Sequence, residues 1–175
     1  GGAGGTGYVV PLGTADVRDE YPRSRGDDGK VRILFVGRLE RRKGVDVLLE
    51  AARRVLPEFP NAELVLVGRP NPTATDSYAA DPTLDGRVVF AGEVGEAELM
   101  QAYADCDVFV LPSRYESFGL VLTEAMMFGR PVVAAAAGGP AEIVADGGNG
   151  FLVPPDDPAA LADALRKLLA DPALR

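Results

Sequence analysis

Two carboxylates eight residues apart, Glu116 and Glu124, bracket an apolar stretch in a 175-residue chain that contains no histidine. With the commonest general base and zinc ligand missing, acid–base chemistry has to use carboxylates. From Phe118 to Phe128 nearly every residue is apolar or small, the composition of a helix buried on most of its circumference. An ionised carboxylate in such a helix costs several kcal/mol unless something pairs with it, so Glu124 requires a partner. Glu116 stands in the loop feeding the helix, near the positive end of its dipole and its unpaired N–H groups. At ~1.5 Å per residue the two carboxylates lie roughly 12 Å apart along the axis. Between them the N–H groups of Phe118, Gly119 and Leu120 can hold an anion. A nucleotide sugar has the matching order: sugar hydroxyls, diphosphate, ribose hydroxyls. A purely structural reading also serves, with Glu116 beside a helix N-cap and Glu124 paired with Arg130.

The net charge is −8, so a small anionic ligand would need a local basic patch against the overall field. GRLERRKG supplies one, with Arg38, Arg41, Arg42 and Lys43 in eight residues. Arginine suits bidentate contact with phosphate and lysine acts as a point charge. By itself the same loop is equally read as ordinary solvated surface charge. The acidic balance argues against a nucleic-acid partner, whose binding rests on a basic surface.

The elements that position these residues follow from hydrophobic periodicity. RILFVG, ELVLVG, VVFAG, DVFVLP and PVVAAA are short apolar runs that read as strands, and NGFLVPP is extended. Helical spacing appears from Val45 to Leu56, over ELMQAYADC, in the Phe118–Phe128 segment and around Ala141 to Val144. It appears again after Asp157, an N-cap followed by Pro158. Strands alternating with helices predict an α/β fold, a doubly wound parallel sheet of Rossmann-like build over residues 31–175. Residues 1–30 read as an irregular lead-in, with YVVPLG expected as an edge segment and the first glycines as a linker or remnant. Residues 69–86, with three prolines and weak periodicity, fit a crossover helix poorly; a short helix around Asp76 to Ala80 is the expectation. In such sheets ligands bind beyond the carboxyl ends of the strands, where the basic loop, GEVGE, SRYESFG and AAGGPAE all fall.

One cysteine, Cys106, excludes an internal disulfide framework and any cysteine-based zinc site; it reads as a buried thiol at a helix end. No apolar run approaches the roughly 18 residues of a membrane span, and a cytoplasmic location is expected.

GRLERRKGVD, then SRYESFGLVLTEAMMFGRPVVAAAAGGPAEIV, then NGFLVPPDDPAALADAL strongly resemble the C-terminal, donor-binding domain of retaining glycosyltransferases of the GT-B fold, the large family 4 group. The resemblance runs from about Val31 to the end, and PLGTAD resembles the segment entering this domain from its partner. It implies transfer of a sugar from a nucleotide diphosphate sugar to an acceptor, without a metal ion or other cofactor. Carried over by position, Arg38 and Lys43 would hold the diphosphate and help it leave, and Glu116 would contact donor-sugar hydroxyls. These three are the catalytic candidates. Phe118, Gly119 and Leu120 would offer backbone N–H groups, Glu124 would accept from ribose hydroxyls, and Val94 would pack against the base. The resemblance further implies an acceptor-binding N-terminal domain that these residues do not include, with any peripheral membrane association arising through that half. GRPNPTATDSYAADP departs from the family's usual Gly-containing turn and helix, and PLGTAD from its asparagine-glycine form. Two other readings stand beside this one: a sugar-nucleotide epimerase of the same fold, and a non-catalytic nucleotide-binding domain. Against the last, RILFVG runs into Arg38, not into the acidic cluster of a receiver domain.

Overall fold

The computed structural model describes residues 17–79, 81–84 and 86–175. YVVPLG therefore lies outside the described residues. A single turn, α1 (Val17–Glu20), precedes the regular alternation. Then follow β1 (Val31–Val36), α2 (Val45–Val55), β2 (Ala62–Val67), α3 (Pro72–Ala79), β3 (Val88–Gly92), α4 (Glu96–Asp105), β4 (Val108–Leu111), α5 (Leu120–Met127), β5 (Val132–Ala135), α6 (Pro140–Ile143), β6 (Gly150–Val153) and α7 (Pro158–Ala170). The six strands form one parallel sheet in the order β3-β2-β1-β4-β5-β6.

Both faces of the inner strands are covered, which is why they read as unbroken apolar runs rather than alternating ones, while the edge strand β3 leaves Val89 and Phe90 exposed. Ile33 and Phe35 of β1 join α2 and α7 in one core, with Leu48, Val55, Leu161 and Leu165 fully buried. Leu34 and Val36 point the other way, to Tyr103 of α4 and to Leu122 and Ala125 of α5. At the start of α7, the Asp157 carboxylate accepts from the N–H of Ala160, as its N-cap position predicts. Cys106 caps the end of α4, and burial pushes its thiol up to about 12.

Two expectations need correction. Residues 69–86 do contain a crossover helix, α3, longer than expected and beginning at Pro72. Proline is tolerated in a first helical turn because the N–H it lacks has no partner there. The second concerns α5, which is not buried around most of its circumference. Leu122 and Ala125 face the core, but Leu120 and Met127 are exposed and Phe118, just before the helix, is 75% exposed. Apolar composition recorded two surfaces, one packed against the sheet and one open beside the strand ends.

Candidate functional site

Strand order reverses between β1 and β4: the chain leaves β1 toward β2 on one side and β4 toward β5 on the other. In sheets of this kind the loops diverging from such a point bound the ligand site, at the carboxyl ends of the two strands. The loop after β1 carries the basic residues and the loop after β4 carries Glu116, so the two motifs meet here. The Nζ of Lys43 donates to the Glu116 carboxylate at 2.6 Å, with both side chains mostly buried.

Backbone packing makes this meeting reproducible. Arg41–Lys43 form a tight 3-10 turn ending at Gly44, whose φ is +70°. A Cβ at Gly44 would lie 2.0 Å from the carbonyl oxygen of Pro112 at the end of β4, so only glycine lets the two loops approach. On the other side Glu116 forms an isolated bridge with Gly138, and Gly139 N–H donates to the Glu116 carbonyl at 2.8 Å. Glu116 is thus held from the loop after β5 as well.

The basic residues sit at graded depth. Arg41 is the most exposed, 3.8 Å from Asp46, while Arg38 and Arg42 approach Glu40 at 3.6 and 3.3 Å. Contacts of this length made by exposed guanidinium groups are weak and leave those groups available. Arg38 also lines a cleft of about 230 Å³ with Glu40, Arg69 and Asn71.

Gly119 enters α5 in the left-handed conformation and makes no side-chain cap. Its carbonyl accepts from Leu122 and Thr123, whereas among the described residues no acceptor meets the N–H groups of Phe118, Gly119 or Leu120. Glu124, one turn further, is half-buried and has the partner it requires: the Tyr103 hydroxyl donates to its Oε2 at 2.7 Å. Burial, then this bond to a carboxylate, raises the Tyr103 phenol far above its ordinary value. Arg130 does not reach Glu124, since its guanidinium donates to the carbonyls of Tyr103 and Ala104. Val94 lies half-buried between β3 and α4, packed on the same core as Tyr103.

Sequence reasoning missed Arg114. It donates to both oxygens of Asp46 at 2.8 and 3.0 Å, to the carbonyl of Arg41, and pairs with Asp156 at 2.5 Å. Hydrogen bonding to Asp46 raises its already high pKa further. Burial works to raise the Asp46 carboxyl, but the Arg114 guanidinium outweighs it and holds that group below the ordinary range. Its position next to Tyr115 and Glu116 was the only hint available. Among the described residues no three histidine, cysteine, aspartate or glutamate side chains are grouped to hold a metal ion. No helix among the described residues is long and apolar enough to cross a membrane.

A family model described as "Glycosyl transferases group 1" matches residues 17–175. A phosphatidyl-myo-inositol mannosyltransferase of Mycolicibacterium smegmatis is 39% identical over 169 residues, covering 95% of this chain and 42% of that protein. The chain thus spans about two fifths of the length of this relative. Among solved structures, the C-terminal domain of a glycosyl transferase group 1 family protein from Francisella tularensis superposes with a TM-score of 0.79 at 30% identity. That match covers 92% of this chain and 90% of that domain. An Anabaena protein, HepE, in complex with UDP and glucose superposes with a TM-score of 0.75 at 30% identity, covering 91% of this chain and 44% of its own.

Proposed function

The chain is a member of the glycosyl transferases group 1 family, and from that membership we propose that it is the donor-binding half of an enzyme moving a sugar from a nucleotide diphosphate sugar to an acceptor. The observation that carries this reading is the Lys43–Glu116 pair, set across the switch point and beside the open N-terminus of α5. Lys43 has three N–H donors and spends one on Glu116, so the others remain for a diphosphate. Arg38 approaches the same anion from the exposed side. The free N–H groups of Phe118, Gly119 and Leu120 receive donor oxygens, and the second oxygen of Glu116 accepts from a sugar hydroxyl. Tyr103 occupies one oxygen of Glu124 and orients the other toward ribose hydroxyls. Val94 packs against the base. Bound UDP in the Anabaena relative supports a nucleoside diphosphate as the ligand class.

Transfer develops negative charge on the departing diphosphate, and cations placed there beforehand act where that charge grows. This needs no metal ion and no further cofactor. Retention of anomeric configuration, membership of the family 4 group and a cytoplasmic location belong to the same reading. So do a donor domain over residues 31–175, a separate acceptor-binding half, and peripheral membrane contact made only by that half. Coverage of about two fifths of its relative accords with two halves.

Titrating the chain with UDP, GDP and ADP, each against its monophosphate, tests the assignment. At least one diphosphate should bind about tenfold or more tighter than its monophosphate, and Lys43→Ala should remove most of that preference, since a charge-assisted contact contributes about 1.5–3 kcal/mol. Equal affinity for both would remove the diphosphate site.

A further inference from the structure

We propose that Arg114 is a positioning residue that staples three strand-end loops together and so fixes the basic loop where a donor diphosphate needs it. This rests on the donor-binding reading and adds to it a residue that touches no ligand atom. The first loop follows β1 and runs into α2: Arg114 donates to the Arg41 carbonyl and, in a fork, to both oxygens of Asp46 in the first turn of α2, while its own N–H donates to the Arg42 carbonyl at 3.0 Å. The second is its own, after β4, two residues before Glu116. The third follows β6, where Asp156 completes the ring of acceptors.

Three features make the staple more than surface pairing. A planar guanidinium satisfied by a bidentate carboxylate and a backbone carbonyl has one geometry, whereas lysine could not reproduce it. Both carbonyls it holds belong to the 3-10 turn immediately before Lys43, so a slack turn displaces that ammonium. Asp156, finally, is the only non-glycine residue with positive φ among the described residues, at +58°. That conformation is uncommon for aspartate and persists only where surrounding contacts support it. Arg114 supplies such a contact.

Arg114→Met keeps the apolar stem and removes the fork. In the nucleotide series that the wild type binds tightest, preference for diphosphate over monophosphate should fall about tenfold, because small displacements of a placed charge are costly. Arg114→Lys should recover only part of it. Amide hydrogen exchange at Lys43 and Gly44, whose N–H groups close the turn, should quicken while α7 is unchanged. On a Lys43→Ala background, Arg114→Met should cost almost nothing more, since it acts through that side chain. Asp156→Gly covers the case in which Arg114→Met fails to fold, because glycine accepts the backbone conformation there and only one arm of the staple is lost. It should lower the preference about threefold. An unchanged preference in Arg114→Met, or in Asp156→Gly where that variant decides, overturns the staple. Full additivity with Lys43→Ala overturns it equally. Failure of the wild type to prefer any diphosphate overturns the donor reading itself, and the staple with it.

Discussion

At the N-terminal ends of the strands, Asp107 accepts from Arg23, from Arg25 and from the backbone N–H of Arg32, and Glu63 accepts from Lys30 and Arg32. At the opposite ends Arg38, Arg41 and Arg42 are more than half exposed and reach their carboxylates only at 3.3–3.8 Å. In charge pairing the sheet therefore has a closed end and an open one, although a cleft of about 390 Å³ lined by Arg23, Arg25, Lys30 and Asp107 lies at the first. At the closed end charge binds residues 21–30 to the fold: Ser24 and Arg25 also hold Asp105 through backbone and side-chain bonds. At the open end positive charge is left underused, as the proposed diphosphate site requires. Among the described residues Lys43 and Arg114 break the pattern there, and both connect loops instead of neutralising the patch.

The contrast is broken most severely by Asp107→Ala, which leaves Arg23 and Arg25 without their shared carboxylate. A loss of about 3 kcal/mol is expected, since removing one partner of a largely buried pair strands the other charge. For a domain of this size that lowers the melting temperature by roughly 10 °C. Nucleotide affinity, measured on the folded protein, should be unchanged; a parallel loss of affinity would show that the two ends are coupled.

Acid should act next, and mainly on the closed end. Burial works to raise the carboxyls of Glu63 and Asp105, but bonds from Lys30 and Arg32 to the first, and from Ser24 and Arg25 to the second, outweigh it and lower both. Groups with depressed folded pKa values contribute stability that is complete above the unfolded value, about 4. It is lost as pH falls through the folded values. Melting temperature followed downward from neutral pH should drop in that window, and Glu63→Gln should make the drop shallower. An identical slope would mean the closed end does not govern acid sensitivity.

The smallest effect belongs to Glu124, where the open end meets the core. Glu124→Gln should weaken ribonucleotide binding a few-fold, about 1 kcal/mol for a hydrogen bond to a charged acceptor made neutral. Binding of 2′,3′-dideoxynucleotides should hardly change. Equal loss of both, with a lower melting temperature, would make the Tyr103–Glu124 bond a structural one.

The strands were legible because a sheet covered on both faces demands continuous apolar runs, and DVFVLP and PVVAAA could hardly be anything else. α7 announced itself through Asp157 and Pro158. α3 did not, because PTATDSYA has weak helical periodicity and starts on a residue usually read as a breaker. Around α5, composition showed which residues are apolar without showing what they face, so the helix was expected to be buried on most of its circumference although Phe118 and Leu120 are exposed. Glu124's need for a partner followed from its own segment, but Tyr103 stands 21 positions away on another helix. The fork from Arg114 to Asp46 spans 68 positions, and nothing in either residue's neighbourhood names the other. Loops at strand ends could be listed from topology alone; which atoms meet across them could not.

Tyr115 sits 59% exposed between Arg114 and Glu116. The chain has five tyrosines and no tryptophan. Of those described, Tyr103 is buried and Tyr21 and Tyr78 are half-buried, so Tyr115 alone presents its ring freely to solvent. With no indole to mask it, near-ultraviolet absorption and emission come from phenol rings, and one of them stands beside the carboxylate assigned to the donor sugar. The molecule therefore carries an exposed phenol at its own strand-end loops, an intrinsic reporter whose signal adds to that of the other tyrosines.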